Sequence, residues 1–374
     1  MNIALLGMGT VGSGVYALLH GRTDLNIRRI LDRRTLPAPA ESLRTEDFAD
    51  ILNDPLIDTV VELLGGVEPA HGFALAALKA GKHVVSANKL MLSADFASLI
   101  KAANASCAQL RISASAGGGI PWLTNVLRVR RLGRIDSVAG IYNGTTNFIL
   151  DAMQRQGIQY SEALAQAQAA GFAEADPSAD VDGWDARSKL VLSGSIAFDA
   201  LLKPDAIPTR GIRGISAEDI AFFQSRGWVC RLIAHAERNG DAVSAVVEPV
   251  LVPETAREAS VYGCDNCFSL TAPDVGTLSF LGPGAGREPT AFQVVNDLYD
   301  IESGAPAPVY VADPRIATAD AQRLKRRYYV RAAGPLPFAA EALGDGIWIT
   351  EPVSCAAMHR AATAGFFAAL SHSI

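Results

Sequence analysis

Four of the charged residues between positions 174 and 189 of this 374-residue chain stand at spacings suited to proton transfer. Asp185 and Lys189 stand four apart on a segment that reads as one helix, so their side chains share a face. Glu174 and Asp180 lie in the loop leading to that helix, and Pro177 keeps the loop from turning helical too early. A bare Asp–Lys pair at this spacing is ordinarily a solvated surface pair, worth about 0.3 kcal/mol. Here the helix continues from Leu190 as Leu-Val-Leu-Ser-Gly-Ser-Ile-Ala, too apolar to be solvated all round. The pair is therefore expected where the helix end meets a cleft. A lysine held among carboxylates there can take or give a proton.

A second kind of chemistry is written near the N-terminus. Gly7-Met8-Gly9-Thr10-Val11-Gly12 fits G-x-G-x-x-G, with the apolar strand Asn2–Leu6 before it and a helix, Val11–Leu19, after it. The first glycine permits the tight turn, the second lets the backbone approach a pyrophosphate, and the third lets helix and strand pack closely. The helix N-terminus aims its N–H groups at the phosphates. Asp32 follows a second strand, Ile27–Leu31, at the place where a ribose 2′-hydroxyl is bound and NAD favoured. Arg33 and Arg34 come next and suit the 2′-phosphate of NADP instead. Both readings stay open. Lys89, at the end of the strand His83–Ser86, is expected on the sheet edge where ligands bind.

The elements that position these groups alternate through the first third of the chain. Strands at Thr59–Leu64, His83–Ser86 and Gln109–Ser113 are separated by helices at Ala70–Ala80 and Ala94–Ala103. Such alternation predicts an α/β fold, a Rossmann-type parallel sheet with helices on both faces. Beyond it, helices at Tyr160–Ala170 and Trp184–Ala197 mix with short strands, predicting an α+β second domain. A second glycine turn, Gly282–Gly286, precedes a helix at Thr290–Tyr299. The expected division is 1–130 for dinucleotide binding, completed by a returning helix near 288–315. Residues 131–287 form the catalytic and dimerisation domain, and 325–374 a short C-terminal module.

The net charge of −6 argues against a nucleic-acid partner. No apolar run is long enough to span a membrane, and the start has no signal-peptide pattern, which points to the cytoplasm. Cys264 and Cys267 form a lone C-x-x-C without a second ligand pair, and are expected to be two thiols in a loop.

Several blocks in register resemble the homoserine dehydrogenase family over about residues 2–300. They are Val61-Glu-Leu-Leu-Gly-Gly-Val-Glu-Pro69, Gly81-Lys-His-Val-Val-Ser-Ala-Asn-Lys89, Gly117-Gly-Gly-Ile-Pro121 and Asn143-Gly-Thr-Thr-Asn147. Gly171-Phe-Ala-Glu-Ala-Asp-Pro177 through Lys189, Gly211–Ala234 and Gly282–Thr290 complete the set. The resemblance implies interconversion of homoserine and aspartate 4-semialdehyde with NAD or NADP, in threonine and methionine biosynthesis, by a homodimer. It makes Lys189 the proton carrier, oriented by Asp180. Glu174 and Asp185 become substrate ligands, Lys89 a residue reaching cofactor and substrate, and Gly171 and Gly286 backbone contacts to the cofactor. Two alternatives stand beside it: an oxidoreductase of the same type acting on another small amino or hydroxy acid, and a non-catalytic dinucleotide sensor.

The sequence departs from the family twice. The resemblance implies a sodium or potassium ion held by the carbonyls of Ala116, Gly118 and Ile120 with a glutamate at the position of Ser113, and serine brings no anionic oxygen. After Arg327-Tyr-Tyr-Val-Arg331, which resembles the opening strand of an ACT module, fewer than 50 residues remain. They are expected as one strand within Gly344–Thr350 and a helix over Ala356–Leu370, with Trp348 and Phe366-Phe367 available for a subunit interface and weak threonine feedback.

Overall fold

The computed structural model describes residues 1–312, 315–317, 320–361 and 365–371. The chain divides into two compact units. Met1–Arg131, Asp199–Leu201 and Pro283–Arg315 make the first; Leu132–Phe198, Leu202–Gly282 and Ile316–Ile374 make the second.

The first unit is built on a six-stranded sheet in the order β3-β2-β1-β4-β5-β6. Its strands are β1 (Asn2–Leu6), β2 (Asn26–Leu31), β3 (Arg44–Thr45), β4 (Thr59–Glu62), β5 (His83–Ser86) and β6 (Leu110–Arg111). Every pairing is parallel. Its apolar strands have both faces to bury, and Ile3, Leu5, Val61 and Val85 join one core with Val294 and Leu298 of the helix Arg287–Glu302. That helix packs against Thr10–Leu19 at Gly14, where an added Cβ would sit 2.9 Å from the Ala291 Cβ. Strand order reverses at β1/β4, the place where open parallel sheets bind ligands.

Asp297, on the same helix, is buried against the segment after β6, and its carboxylate accepts the Ser113 N–H at 3.0 Å. Burial pushes its carboxyl up to about 6, despite the bonds from Ser113 and the charge of Arg111. A carboxyl raised on folding binds its proton more tightly in the native state, so its stabilisation is lost as pH rises from about 4 through about 6. Such a change is worth about 3 kcal/mol. Asp297→Asn is expected to gain stability relative to the parent at pH 8 but not at pH 4.5, measured by urea unfolding. Equal differences at both pH values would contradict this.

The second unit carries a nine-stranded sheet in the order β11-β10-β7-β8-β9-β17-β13-β15-β14. Here β7 is Ser137–Ile141, β8 Trp228–Asn239, β9 Ala242–Pro253, β10 Asn266–Ala272 and β11 Gly276–Gly282. The later strands are β12 (Lys325–Arg326), β13 (Tyr328–Arg331), β14 (Ala340–Gly344), β15 (Ile347–Thr350), β16 (Val353–Ser354) and β17 (Phe366–Leu370), with β12 and β16 forming a separate pair. All pairings in the large sheet are antiparallel except β17 with β9.

The C-terminal residues thus extend this sheet. The expected helix over Ala356–Leu370 is corrected: a helix covers Cys355–Ala361, residues 362–364 lie outside the described residues, and Phe366–Leu370 is a strand between β9 and β13. Phe366 and Phe367 are 1 % exposed, so neither serves an interface. The expected single strand in Gly344–Thr350 is instead part of a hairpin, turned by Asp345 and Gly346 at φ +51° and +73°. Fully buried Glu248 of β9 fastens the tail. It accepts bonds from Arg326 (3.0 Å) and the Tyr328 hydroxyl (3.2 Å) and pairs with His359 at 2.9 Å. Cys267 lies on buried β10 and Cys264 just before it, and both thiols are free.

Candidate active site

In the first unit the chain leaves β1 through Gly7, at φ +95°, whose N–H donates to the Leu31 carbonyl at 2.9 Å. A Cβ on Gly12 would lie 2.1 Å from the Gly7 oxygen, so no side chain fits there. A Cβ on Gly9 would meet no atom within 4 Å; this face is clear for a ligand. Beside it lies a cavity of about 650 Å³ whose lining includes Gly7, Gly9, Asp32, Arg33, Arg34 and Gly65. Thr10 opens the helix, so the first-turn N–H groups of Thr10, Val11 and Gly12 have no carbonyl partner within it. These residues fit a dinucleotide pyrophosphate.

Asp32 is not free. One carboxylate oxygen accepts the Arg34 N–H and Nε, each within 3.0 Å; the other accepts the Met8 N–H at 2.9 Å and an Arg34 guanidinium nitrogen at 2.8 Å. The Arg34 guanidinium holds the Asp32 carboxyl well below its ordinary range. Arg33 is exposed beside it and makes no hydrogen bond or ion pair among the described residues.

Glu62 and Asn88, on the same sheet edge, were not among the expected site residues. Glu62 is fully buried at the end of β4, and burial pushes its carboxyl up. It accepts bonds from Ser86 Oγ (2.7 Å), the Leu64 N–H (2.9 Å) and Asn88 Nδ2 (3.3 Å). Asn88 also donates to the Gly66 carbonyl and caps the helix Lys89–Ala94. Lys89 therefore starts that helix, half-buried, on the C-terminal edge of the parallel sheet. A charged residue closing an apolar strand, as in Thr-Val-Val-Glu62, was the available signal.

Gly286 caps the helix Arg287–Glu302 at φ +128°. A Cβ on Gly118 would lie 2.6 Å from the Gly284 backbone, so the glycine turns at Gly117–Gly119 and Gly284–Gly286 touch. The Ile120 carbonyl accepts the Trp122 N–H at 2.7 Å, and the Ser113 hydroxyl accepts from Gln293 at 3.0 Å. With no anionic oxygen from residue 113, this set does not fit the cation cage that the resemblance implied.

In the second unit the helix Trp184–Phe198 is buried along most of its length, with Asp185 and Lys189 7 % and 6 % exposed. Lys189 Nζ donates to Asp185 Oδ2 at 2.9 Å and to the Tyr142 carbonyl, just past β7, at 2.7 Å. Asp180, expected to orient Lys189, accepts from Asn143 Nδ2 at 2.6 Å instead, and the same nitrogen donates to Asp185 at 2.8 Å. Burial, and then the charge of Asp185, push the Asp180 carboxyl up. Glu174 is exposed, and its carboxylate makes no hydrogen bond or ion pair among the described residues, so it stands outside this network. Gly171, at φ +77°, follows the helix Tyr160–Ala169 in the same exposed loop. The sequence reading missed Asn143.

A glycine turn on a parallel sheet and a buried lysine among carboxylates together define the class: an NAD(P)-dependent oxidoreductase acting on a CH–OH group. Family profiles described as homoserine dehydrogenase and homoserine dehydrogenase, NAD binding domain match residues 121–299 and 7–113. The homoserine dehydrogenase of Corynebacterium glutamicum is 41% identical over 315 residues, which span 80% of this chain and 71% of that protein. That of Synechocystis is 39% identical over 317 residues, 80% and 73% of the two chains. A crystal structure of a Thiobacillus denitrificans homoserine dehydrogenase superposes with a TM-score of 0.87 at 30% identity, covering 99% of this chain and 98% of that one. A hyperthermophilic archaeal homoserine dehydrogenase in complex with NADPH shares the fold, with a TM-score of 0.70 at 22% identity over 82% of this chain and 99% of that one. The chain belongs to the homoserine dehydrogenase family. No helix among the described residues is long and apolar enough to cross a membrane.

Proposed function

We propose that this protein interconverts L-homoserine and L-aspartate 4-semialdehyde in threonine and methionine biosynthesis, with Lys189 as acid and base. The observation that carries the reading is the lysine's geometry. An ammonium group has three N–H bonds. Two are taken by Asp185 and the Tyr142 carbonyl, so one is left for a substrate oxygen. When bound, the nicotinamide takes or returns the hydride. Lys189 receives the hydroxyl proton during oxidation and supplies it to the carbonyl oxygen during reduction. Asp185 holds the lysine and, with Glu174 from its exposed loop, binds the polar end of the substrate. Lys89 serves cofactor and substrate from the first unit. The backbone at Gly7–Gly12, Gly171 and Gly286 holds the cofactor.

NADP is the preferred partner in this reading. All four lone-pair sites of Asp32 are engaged, so it has none for a ribose hydroxyl, while Arg33, without a partner among the described residues, offers a cation at the same place. Homodimer assembly in the cytoplasm completes the proposal. It rests on the family resemblance, and sedimentation at the monomer mass would remove the dimer.

The test is an absorbance assay at the nicotinamide band with homoserine, NADP and then NAD, beside a panel of other short amino and hydroxy acids. Turnover is expected with homoserine. A better rate with another alcohol would replace the substrate.

A further inference from the structure

The lysine site gathers Asp180, Asp185 and Lys189 into one hydrogen-bonded group. Asn143 joins the two carboxylates. It is 3 % exposed, and its two amide N–H bonds point one to Asp180 (2.6 Å) and one to Asp185 (2.8 Å). Its carbonyl oxygen is used as well, accepting the Thr146 N–H at 2.8 Å and the Thr146 hydroxyl at 2.9 Å as the cap of the helix Gly144–Gln156. The preceding residue, Tyr142, gives its carbonyl to Lys189. The end of β7 thereby fixes the lysine and both acids from one point of backbone. An amide is suited to this because it accepts on one side and donates twice on the other, and it carries no charge of its own.

We propose that Asn143 is the positioning residue of this site, binding both carboxylates so that Lys189 gains and loses its proton in a fixed anionic cradle. This rests on the reading of Lys189 as proton carrier. Both bonds favour the ionised carboxylates. Without them Asp180, half-buried and facing Asp185, takes up a proton at higher pH, and the lysine loses that part of its field.

Two variants separate this role from helix capping, because serine and aspartate both cap helices well. Asn143→Ser keeps a cap and loses the double donation. Asn143→Asp keeps a cap and adds a third carboxylate. The serine variant is expected to melt within a few degrees of the parent, with kcat reduced about tenfold and KM changed less than about threefold. The acid limb of its pH–rate profile should move up by roughly one unit. Asn143→Asp should lose about 100-fold and shift the limb further. If both variants kept the parental kcat and acid limb while Lys189→Met was inactive, this inference would fall and the lysine assignment would stand. An active Lys189→Met would strike the assignment itself.

Discussion

Lys189→Met is expected to reduce kcat by about 10³-fold or more in both directions of the reaction. Methionine retains the length and apolar character of the lysine stem but has no proton to exchange. Asp185 then loses one donor yet keeps the Asn143 bond, so the buried carboxylate is not left bare. The loss should therefore appear in kcat, with cofactor affinity unchanged and the melting temperature moderately altered. Lys189→Arg is the companion variant, because arginine keeps the charge for Asp185 but holds its proton throughout the working pH range. It too should be inactive. A Lys189→Met enzyme retaining a tenth of the parental turnover would mean that another group carries the proton.

The second large effect concerns the cofactor. 2′,5′-ADP should bind about 10- to 100-fold more tightly than 5′-ADP, and Arg33→Ala should erase most of that difference. Asp32 spends both oxygens on Arg34 and the Met8 N–H, so its charge is neutralised before a ligand arrives. Arg33 has no such partner among the described residues. Arg34→Ala would release Asp32 to accept a ribose hydroxyl, moving preference toward NAD. Calorimetry with the two adenosine fragments reads this without turnover. Equal affinities in the parent protein would end the NADP assignment.

These two predictions draw on different kinds of information. Gly7, Gly9 and Gly12 were legible because a turn's steric demands act between near neighbours, and the 2.1 Å clash at Gly12 is with the turn's own Gly7 oxygen. The parallel sheet was legible because apolar strands alternate with helical patterns. The shared face of Asp185 and Lys189 follows from the pitch of one helix. The hairpin at Asp345-Gly346 carried an Asp-Gly turn signal that the reading passed over.

Other features depended on residues distant in the chain. Phe366–Leu370 follows a short helix and becomes a strand because β9 and β13 offer backbone partners on either side. Asp297 is recognised as a buried acid only when Ser113, 184 residues away, is seen against it. Asp180 takes Asn143 as partner, and no spacing along the chain distinguishes that bond from one to Lys189.

Sequence alone thus determined the sheet, the glycine turn and the shared face of Asp185 and Lys189, since backbone sterics and helical pitch are local. Tertiary structure decided which charges are already satisfied: Asp32 by Arg34, both aspartates by Asn143, Glu248 by the tail. A buried charge is stabilised by whichever donor folding brings within about 3 Å, and that donor often comes from far along the chain.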